Sequence, residues 1–369
     1  MISTQQFPDA TSVDARFMKR ALDLATLGYG AVSPNPLVGC VIVSGRSAGA
    51  VDAQDGRVIG EGWHQKYGEA HAEVNAINDV LRRYGETDAA PLLAEATAYV
   101  TLEPCAHWGK TPPCAELLIR HRLRRVVVGN DDPNPLVAGR GIQTLIEADI
   151  EVETGVLREK GCWLNRRFFT AVEKNRPYIV LKWAQSADGF VARPDFGAVP
   201  ISNALSQQLV HKWRGEEDAI LVGTRTALHD NPRLNVRHWP GRDPVRVVID
   251  RQRVLPSTLH VLDGSQPTLF YNLLENREAE NLTFVQLDAA GDFLTQLVTD
   301  LHHRRIQSVL VEGGTATLEG FLNRNLWDEI RVFRSSDSLG AGIPAPRLAG
   351  QLLAREDILG DELLIFVRE

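Results

Sequence analysis

Three short segments hold residues whose types and order suit metal chemistry: His71-Ala72-Glu73, Pro104-Cys105, and Cys114 at the close of PCAHWGKTPPC. One imidazole and two thiolates match a tetrahedral zinc that keeps one position open. Catalysis needs that open position, because zinc drops the pKa of a bound water toward ~7. Glu73 is two residues from His71 and is not needed as a ligand. A carboxylate there can take a proton from the water and hand it to a leaving amine. Pro112 and Pro113 precede Cys114, a favoured context for the first turn of a helix, and a helix N-terminus stabilises a thiolate. His71 is also expected near a helix start. A lone cysteine is most often buried filler, and two cysteines with one histidine also fit a structural zinc site short of a ligand. The order of the three elements, two of them at expected helix starts, favours a catalytic centre. Cys40 and Cys162 fall in a strand and a helix pattern and read as structural.

His-x-Glu followed by Pro-Cys-x-x-Cys is the signature of zinc nucleobase deaminases. The first half matches here, but eight residues separate the cysteines instead of two. The insert, AHWGKTPP, brings its own polar groups in His107, Lys110 and Thr111.

A second chemical feature lies far downstream. In VLVEGGTATLEGFL (Val309 to Leu322) a strand pattern ends in Glu-Gly-Gly and a helix pattern follows. Glycines there let backbone approach a ligand, and the helix N-terminus can receive a phosphate. A simple tight turn is the plainer reading of that segment alone. The second half has no G-x-G-x-x-G fingerprint after a strand, so a nicotinamide cofactor would need a different fold.

The elements that must position these residues alternate. The spacing predicts a helix over Asp14 to Leu27, strands over Val38 to Val43 and Val58 to Trp63, and a helix over His71 to Tyr84. A strand at Ala98 to Leu102, a helix at Cys114 to Leu123, a strand at Arg125 to Gly129 and a helix at Gly141 to Ala148 follow, before the strand-like IEVETG. Val156 to Glu173 reads as one helical stretch, broken by NRP near Asn175 to Pro177. Beyond it, strands are expected at Tyr178 to Ala184, Ala219 to Gly223, Val245 to Asp250, Thr268 to Asn272 and through SVLVEGG. Helices are expected at Leu205 to Arg214, Phe293 to Arg305 and Thr317 to Asn323. Such alternation predicts two α/β domains. The expected organisation is a first domain over 1–155, a connecting helix over 156–175 and a second domain over 176–369.

Bulk properties narrow the class. At 369 residues the chain is long enough for two domains, and 44% hydrophobic with 24% charged residues is ordinary for a globular protein. Disorder as the main state is excluded, and no run approaches the ~18 apolar residues of a membrane span. The first twenty residues lack a basic start, an apolar core and a cleavage site, so no secretory signal is expected. A net charge of -7 and a pI of about 5.9 argue against a dedicated nucleic-acid binder. Four cysteines do not make a disulfide scaffold.

The chain resembles the bifunctional deaminase–reductase family of riboflavin biosynthesis over nearly its whole length. The resemblance rests on SPNPLVGCVIV (Ser33 to Val43), GEAHAEVNAI (Gly68 to Ile77), YVTLEPCAHWGKTPPCAELLI (Tyr99 to Ile119) and DPNPLVAGRGI (Asp132 to Ile142). It implies a cytidine-deaminase-like three-layer α/β/α domain followed by a dihydrofolate-reductase-like α/β domain. It implies one Zn2+ per chain on His71, Cys105 and Cys114, with Glu73 as proton shuttle. The implied substrate is 2,5-diamino-6-ribosylamino-4(3H)-pyrimidinone 5′-phosphate, whose 2-amino group is replaced by oxygen. Asn35 would bond the pyrimidine edge, and His107, Lys110, Asp132, Asn134 and Arg140 would contact the ring or the ribose phosphate. In the second domain LKWAQSADG (Leu181 to Gly189), Trp213-Arg214, ILVGTRTALHDNPRLNVR (Ile220 to Arg237) and the EGG turn carry the likeness. They imply reduction of the ribosyl group to ribityl by NADPH. Ala184, Thr226, Asp230, Arg251, Gly314, Thr315, Ala316 and Thr317 would touch the cofactor, and Arg214, Leu234, Arg237 and Glu312 the substrate. Arg214 and Arg237 suit a phosphomonoester, which a guanidinium bonds bidentately. Asp188, in the SADG turn, reads as structural.

Two positions depart from the family pattern. Pro200-Ile201-Ser202 stands where Trp-Ile-Thr is common, which removes a large stacking face. Arg251 replaces a small hydroxyl residue and would favour the 2′-phosphate of NADPH. The tail after Arg334 (SSDSLGAGIPAPRL) matches weakly. The expected protein is a cytoplasmic homo-oligomer, dimer or tetramer, acting on small molecules, with no nucleic-acid or membrane partner. The alternatives are a deaminase with a degenerate second domain, a nucleic-acid deaminase, and a non-catalytic zinc protein.

Overall fold

The structure is a computed structural model that describes residues 12–45, 56–108, 112–134, 137–197 and 199–368. The chain divides into two compact units, Thr4–Glu173 and Lys174–Glu369.

In the first unit, α1 (Val13–Ala25) is opened by the Ser12 hydroxyl, which accepts the Ala15 N–H at 3.1 Å. There follow β1 (Gly39–Val43), β2 (Val58–Trp63), α2 (Ala72–Ala94), β3 (Thr97–Leu102), α3 (Cys114–Arg120), β4 (Arg125–Asn130), α4 (Arg140–Glu147), β5 (Glu151–Thr154), α5 (Arg158–Leu164) and α6 (Arg166–Lys174). The sheet order is β2-β1-β3-β4-β5. β1 runs antiparallel to both neighbours, and β3, β4 and β5 run parallel. Strand alternation splits the core into two layers. Cys40 and Ile42 face Ala72, Ala76, Ile77 and Val80 of α2, Leu118 of α3 and Leu145 of α4. Val41, Val43 and Val127 face Phe17, Met18 and Ala21 of α1 and Leu164 of α5. The sheet is thus covered on both faces.

The helix expected over 71–84 runs on to Ala94, through a break at Gly85 (φ 74°, ψ 161°). A positive φ costs glycine little, so the chain bends there and resumes. The single helix expected over 156–173 is two, α5 and α6, parted at Asn165. The Asn165 amide is turned away to both backbone groups of Leu37, each at 2.8 Å.

The second unit is built on ten strands: β6 (Tyr178–Gln185), β8 (Ala219–Gly223), β9 (Val245–Ile249), β10 (Thr268–Asn272), β11 (Arg277–Ala279), β12 (Leu282–Gln286), β13 (Ser308–Val311), β14 (Glu329–Arg334), β16 (Gln351–Ile358) and β17 (Asp361–Val367). Their order is β11-β12-β10-β9-β8-β13-β6-β14-β17-β16. The strands from β12 through β14 in that order run parallel, and an antiparallel strand or ribbon closes each edge. β7 (Phe190–Ala192) pairs separately with β15 (Ile343–Pro344). Helices α9 (Phe293–His303) and α10 (Thr315–Asn323) cover one face through Leu297, Leu301, Leu318 and Phe321. α7 (Ala204–Glu216) packs Val210 and Trp213 on the other, beside α8 (Thr224–Asp230), which contributes Ala227. The expected strand through SVLVEGG stops at Val311, because the glycines turn away from the ladder. The weakly matching tail leads into β16 and β17, which pair with each other and add to β14.

The entry into this unit is pinned by one buried carboxylate. Asp328 accepts from Arg176 at 2.5 and 2.7 Å, from Lys174 at 3.3 Å and from the Ile179 N–H at 2.9 Å. Removing one partner of a buried ion pair typically costs ~3 kcal/mol or more. Asp328→Ala is therefore expected to destabilise the second unit by about 3 kcal/mol in denaturant titrations. A loss below ~1 kcal/mol, the scale of an exposed pair, would contradict this account.

Candidate functional site

The first site forms where two helices begin beside the end of β3. His71 is the N-cap residue of α2, and Cys114 is the first residue of α3, after Pro113. Cys105 follows β3 by three residues. Its sulfur accepts the Cys114 N–H at 3.3 Å, and its carbonyl accepts the Ala115 N–H at 3.2 Å. His71 Nδ1 is 3.3 Å from Cys114 Sγ and 3.7 Å from Cys105 Sγ. Ligand pairs on a tetrahedral zinc stand roughly 3.6 Å apart, given bond lengths of about 2.3 Å to sulfur and 2.1 Å to nitrogen. The observed spacing fits zinc, and all ligand atoms lie within 4.8 Å of one another. A hydrogen bond with Cys114 pulls the Cys105 thiol down to about 4, and the same bond pushes the Cys114 thiol up. One sulfur is a ready thiolate, and a dication would ionise the other.

Glu73 sits in the first turn of α2 and is 3% exposed. Burial raises its carboxyl to about 7, against the pull of His71. That value suits a group that must both take and return a proton near neutrality.

Asn35 lies close by. Its Nδ2 is 3.1 Å from His64 Nε2, and His64 Nδ1 is 3.1 Å from the Ala70 carbonyl. The carbonyl can only accept, so Nδ1 carries the proton and Nε2 accepts from Asn35. Burial holds the His64 pKa down and keeps the ring neutral. The rings of His64 and His71 meet edge to face at 5.5 Å. His64 carried no sequence signal, since a single histidine after a strand is common. The other expected contacts are more scattered. His107 is exposed, and Lys110 lies outside the described residues. Asp132 is half-buried and accepts the Asn134 N–H at 2.8 Å; burial raises its carboxyl to about 6. Arg140 is exposed at the first position of α4. Cys40 is core, and Cys162 accepts from Asn130 Nδ2 at 2.9 Å.

The second site is a cavity of about 970 Å³, inside the ~300–1,000 Å³ range of small-molecule sites. It opens at the carboxyl ends of β6, β8, β9 and β13, where ligands of open parallel sheets bind. Ala184, Thr226, Asp230, Arg251, Gly314, Thr315, Ala316 and Thr317 all line it, with Glu312. Gly313 lets the turn pass β8: a Cβ there would lie 2.7 Å from the Gly223 nitrogen. α10 then starts with its N–H groups at the cavity, which suits an anionic cofactor.

The expected substrate residues are placed differently. Arg214 grips Glu312 bidentately, at 2.9 and 2.8 Å, so its fork is occupied by a carboxylate. Burial would raise the Glu312 pKa, but the charges of Arg214 and Lys182 outweigh it and hold the carboxyl at about 2. The Leu234 side chain is buried with Ile220, Val222 and Val248, so it serves the core and does not face the cavity. The exposed Arg237 bonds Asn235 Oδ1 at 2.6 Å, and its N–H donates to His211 Nδ1 at 3.1 Å. Lys182, which sequence reasoning missed, lines the cavity beside Glu312. Phe196 stacks on His229 with centroids 4.1 Å apart and planes 3° apart, and both line the same cavity as Pro200. Asp188 holds the turn after β6, accepting from Ser186 Oγ at 2.6 Å and from the Gly340 N–H at 2.7 Å.

Residues 11–130 match the family model described as the cytidine and deoxycytidylate deaminase zinc-binding region, and residues 177–358 match the RibD C-terminal domain. The riboflavin biosynthesis protein RibD of Aquifex aeolicus is 37% identical, covering 96% of this chain and 98% of that one. The Bacillus amyloliquefaciens RibD is 36% identical over 91% and 88% of the two chains. A solved Thermotoga maritima structure, a diaminohydroxyphosphoribosylaminopyrimidine deaminase/5-amino-6-(5-phosphoribosylamino)uracil reductase, superposes with a TM-score of 0.85. It is 35% identical and covers 96% of this chain and 99% of its own. Together the two folds define an enzyme that joins a zinc-dependent deaminase to an NADPH-dependent reductase. The chain belongs to the RibD family of bifunctional riboflavin-biosynthesis enzymes, which use Zn2+ and NADPH on small-molecule substrates. Among the described residues no helix is long and apolar enough to cross a membrane.

If His71, Cys105 and Cys114 are the ligand set, Cys114→Ser should lower bound zinc far below one ion per chain in metal analysis. Reductase turnover of already deaminated substrate should stay unchanged. Full zinc in the variant would remove Cys114 from the set.

Proposed function

We propose that this chain deaminates 2,5-diamino-6-ribosylamino-4(3H)-pyrimidinone 5′-phosphate and then reduces the ribosyl group, giving 5-amino-6-(5-phosphoribitylamino)uracil. The observation that carries the reading is the His71–Cys105–Cys114 cluster with a buried, near-neutral Glu73 beside it. Zinc held there supplies a Lewis acid that makes water a nucleophile at neutral pH. Glu73 takes the proton of that water and returns it to the amine leaving C2, which departs as ammonia. Asn35, its amide fixed by His64, keeps Oδ1 and one N–H for the pyrimidine edge. Asp132, Asn134 and Arg140, with His107 and Lys110, contact the ring or the ribose phosphate.

NADPH bound in the second site would supply a hydride to C1′ of the ribosyl group, the C1′–O4′ bond opening and the freed oxygen taking a proton. The residues from Gly314 to Thr317 receive its phosphates at the start of α10, and Ala184, Thr226 and Asp230 complete the wall. Arg251 lies over the Phe293 ring at 4.4 Å, a contact that holds its guanidinium at the cavity for the 2′-phosphate. Glu312, locked by Arg214, faces the sugar, and Arg237 serves the substrate phosphate. The family resemblance supports a cytoplasmic homo-oligomer, dimer or tetramer.

Glu73→Gln is expected to keep one zinc per chain and to lose ~100-fold or more in deamination. In the parent enzyme, NADPH absorbance should fall only after deaminated product has formed. Deamination at the parent rate in the variant would sink the proton-shuttle role. NADPH left untouched by deaminated substrate would leave only the deaminase. Arg251→Ser is expected to raise the KM for NADPH about tenfold, with NADH unaffected, because a charge-assisted bond to the extra phosphate is lost. Equal effects on both cofactors would refute the assignment.

A further inference from the structure

Glu103 stands two residues before the zinc-loop cysteine Cys105 and is 4% exposed. A buried carboxylate must be paired or hydrogen-bonded. Its partners are four backbone N–H groups from a distant stretch of chain. Oε2 accepts from Asp132 at 3.3 Å and Gly139 at 3.0 Å. Oε1 accepts from Gly141 at 2.8 Å and Ile142 at 3.3 Å. Three of these donors belong to the first turn of α4 or its cap, where N–H groups lack helical partners and a negative charge is favoured. Gly139, the N-cap residue, has no side chain to serve them, so Glu103 caps α4 from another part of the fold.

The contact is tight on the backbone side as well. A Cβ on Gly141 would lie 1.9 Å from the Pro104 carbonyl oxygen, so α4 rests directly on the residue before Cys105. The Glu103 N–H donates to the Asn130 carbonyl at 2.9 Å, fixing the carboxylate's own base at the end of β4. One side chain thus fastens both Asp132 and the turn that carries Arg140 to the strand-end that carries Cys105.

We propose that Glu103 is a positioning residue of the deaminase, holding Asp132 and Arg140 at a set distance from the metal ligands so that ring and ribose phosphate are gripped together. This rests on the reading that Asp132 and Arg140 contact the deaminase substrate. Glu103 itself touches neither zinc nor substrate. Its neutral isostere would turn an NH2 group toward two N–H donors and remove the charge that α4 favours, loosening the grip while leaving the zinc set in place.

The test compares Glu103→Gln and Arg140→Ala in the full-length zinc enzyme, with bound zinc, deaminase KM and kcat, and reductase turnover of deaminated substrate measured for each. For Glu103→Gln the expected result is one zinc per chain, kcat within about threefold, and KM raised about tenfold or more. Arg140→Ala should also raise KM. If Arg140→Ala raises KM and Glu103→Gln does not, the positioning role is overturned while the substrate contact stands. If Arg140→Ala leaves KM unchanged, the substrate reading of the loop fails and the proposal falls with it. Loss of zinc, or a fall in kcat at constant KM, in Glu103→Gln would make Glu103 a support of the metal loop and overturn the proposal. Should Glu103→Gln not fold, Glu103→Asp, one methylene too short to span all four donors, must show the same split. Failure of both to fold would make the residue purely structural and also overturn it.

Discussion

A thiolate, an imidazole and a carboxylate brought out of water into one small volume are each costly, and the first unit is arranged around keeping them there. His71, Cys105 and Cys114 converge within 4.8 Å because α2 and α3 both begin at the rim where β3 ends. Helix starts offer unpaired N–H groups and a positive field end, so they favour sulfur that is already ionised. The Cys114 N–H on Cys105 Sγ is one such group used directly. The strands beneath contribute no chemistry. Their alternation sends Cys40 and Ile42 to one helical layer and Val41 and Val43 to the other, which fixes where the strand ends stand.

The second unit solves the opposite problem. It keeps charge available around a wide cavity while sealing one carboxylate at its edge. Glu312 is held ionised by Arg214 in a bidentate pair and by the nearby charge of Lys182. A guanidinium so engaged no longer offers its fork to a phosphate, and its contribution becomes the orientation of Glu312. The more exposed Arg237 is bonded through one guanidinium nitrogen to Asn235 Oδ1.

Legibility in the sequence followed distance along the chain. The alternation of helices and strands, and the zinc set with Glu73, were readable because each signal sits within a few residues: a histidine at a helix start, a proline before a cysteine, two prolines before another. That Gly314 to Thr317, Ala184, Thr226, Asp230 and Arg251 share one cavity was readable only through the glycine turn and the family likeness. Pairings across long separations left no trace. Asn165 holds Leu37 from 128 residues away, His64 fixes Asn35 from 29, and Arg214 meets Glu312 across 98. None of these polar residues differs in composition or spacing from a solvated one. The burial of the Leu234 side chain was hidden for a related reason. A motif position marks the chain's path past a ligand, but burial with Ile220 and Val222 decides where an apolar side chain points. The run of α2 past Tyr84 was hidden because Gly85 reads locally as a stop.

Pro200 offers no aromatic face to the cavity, and two other residues of the same wall do. A stacking face can come from any aromatic ring presented to the same volume. Phe196, with its backbone at φ 58°, turns its ring flat onto His229 in the wall that also includes Pro200. A non-glycine residue rarely adopts that backbone, so the conformation must be stabilised by what the side chain gains. The stack of Phe196 on His229, Pro200, and the Arg251 guanidinium held over Phe293 meet in one cavity wall. Read one position at a time, Pro200 and Arg251 resemble decay of the second site. Taken with the Phe196–His229 stack in the same wall, they leave the cavity with an aromatic face and a cation.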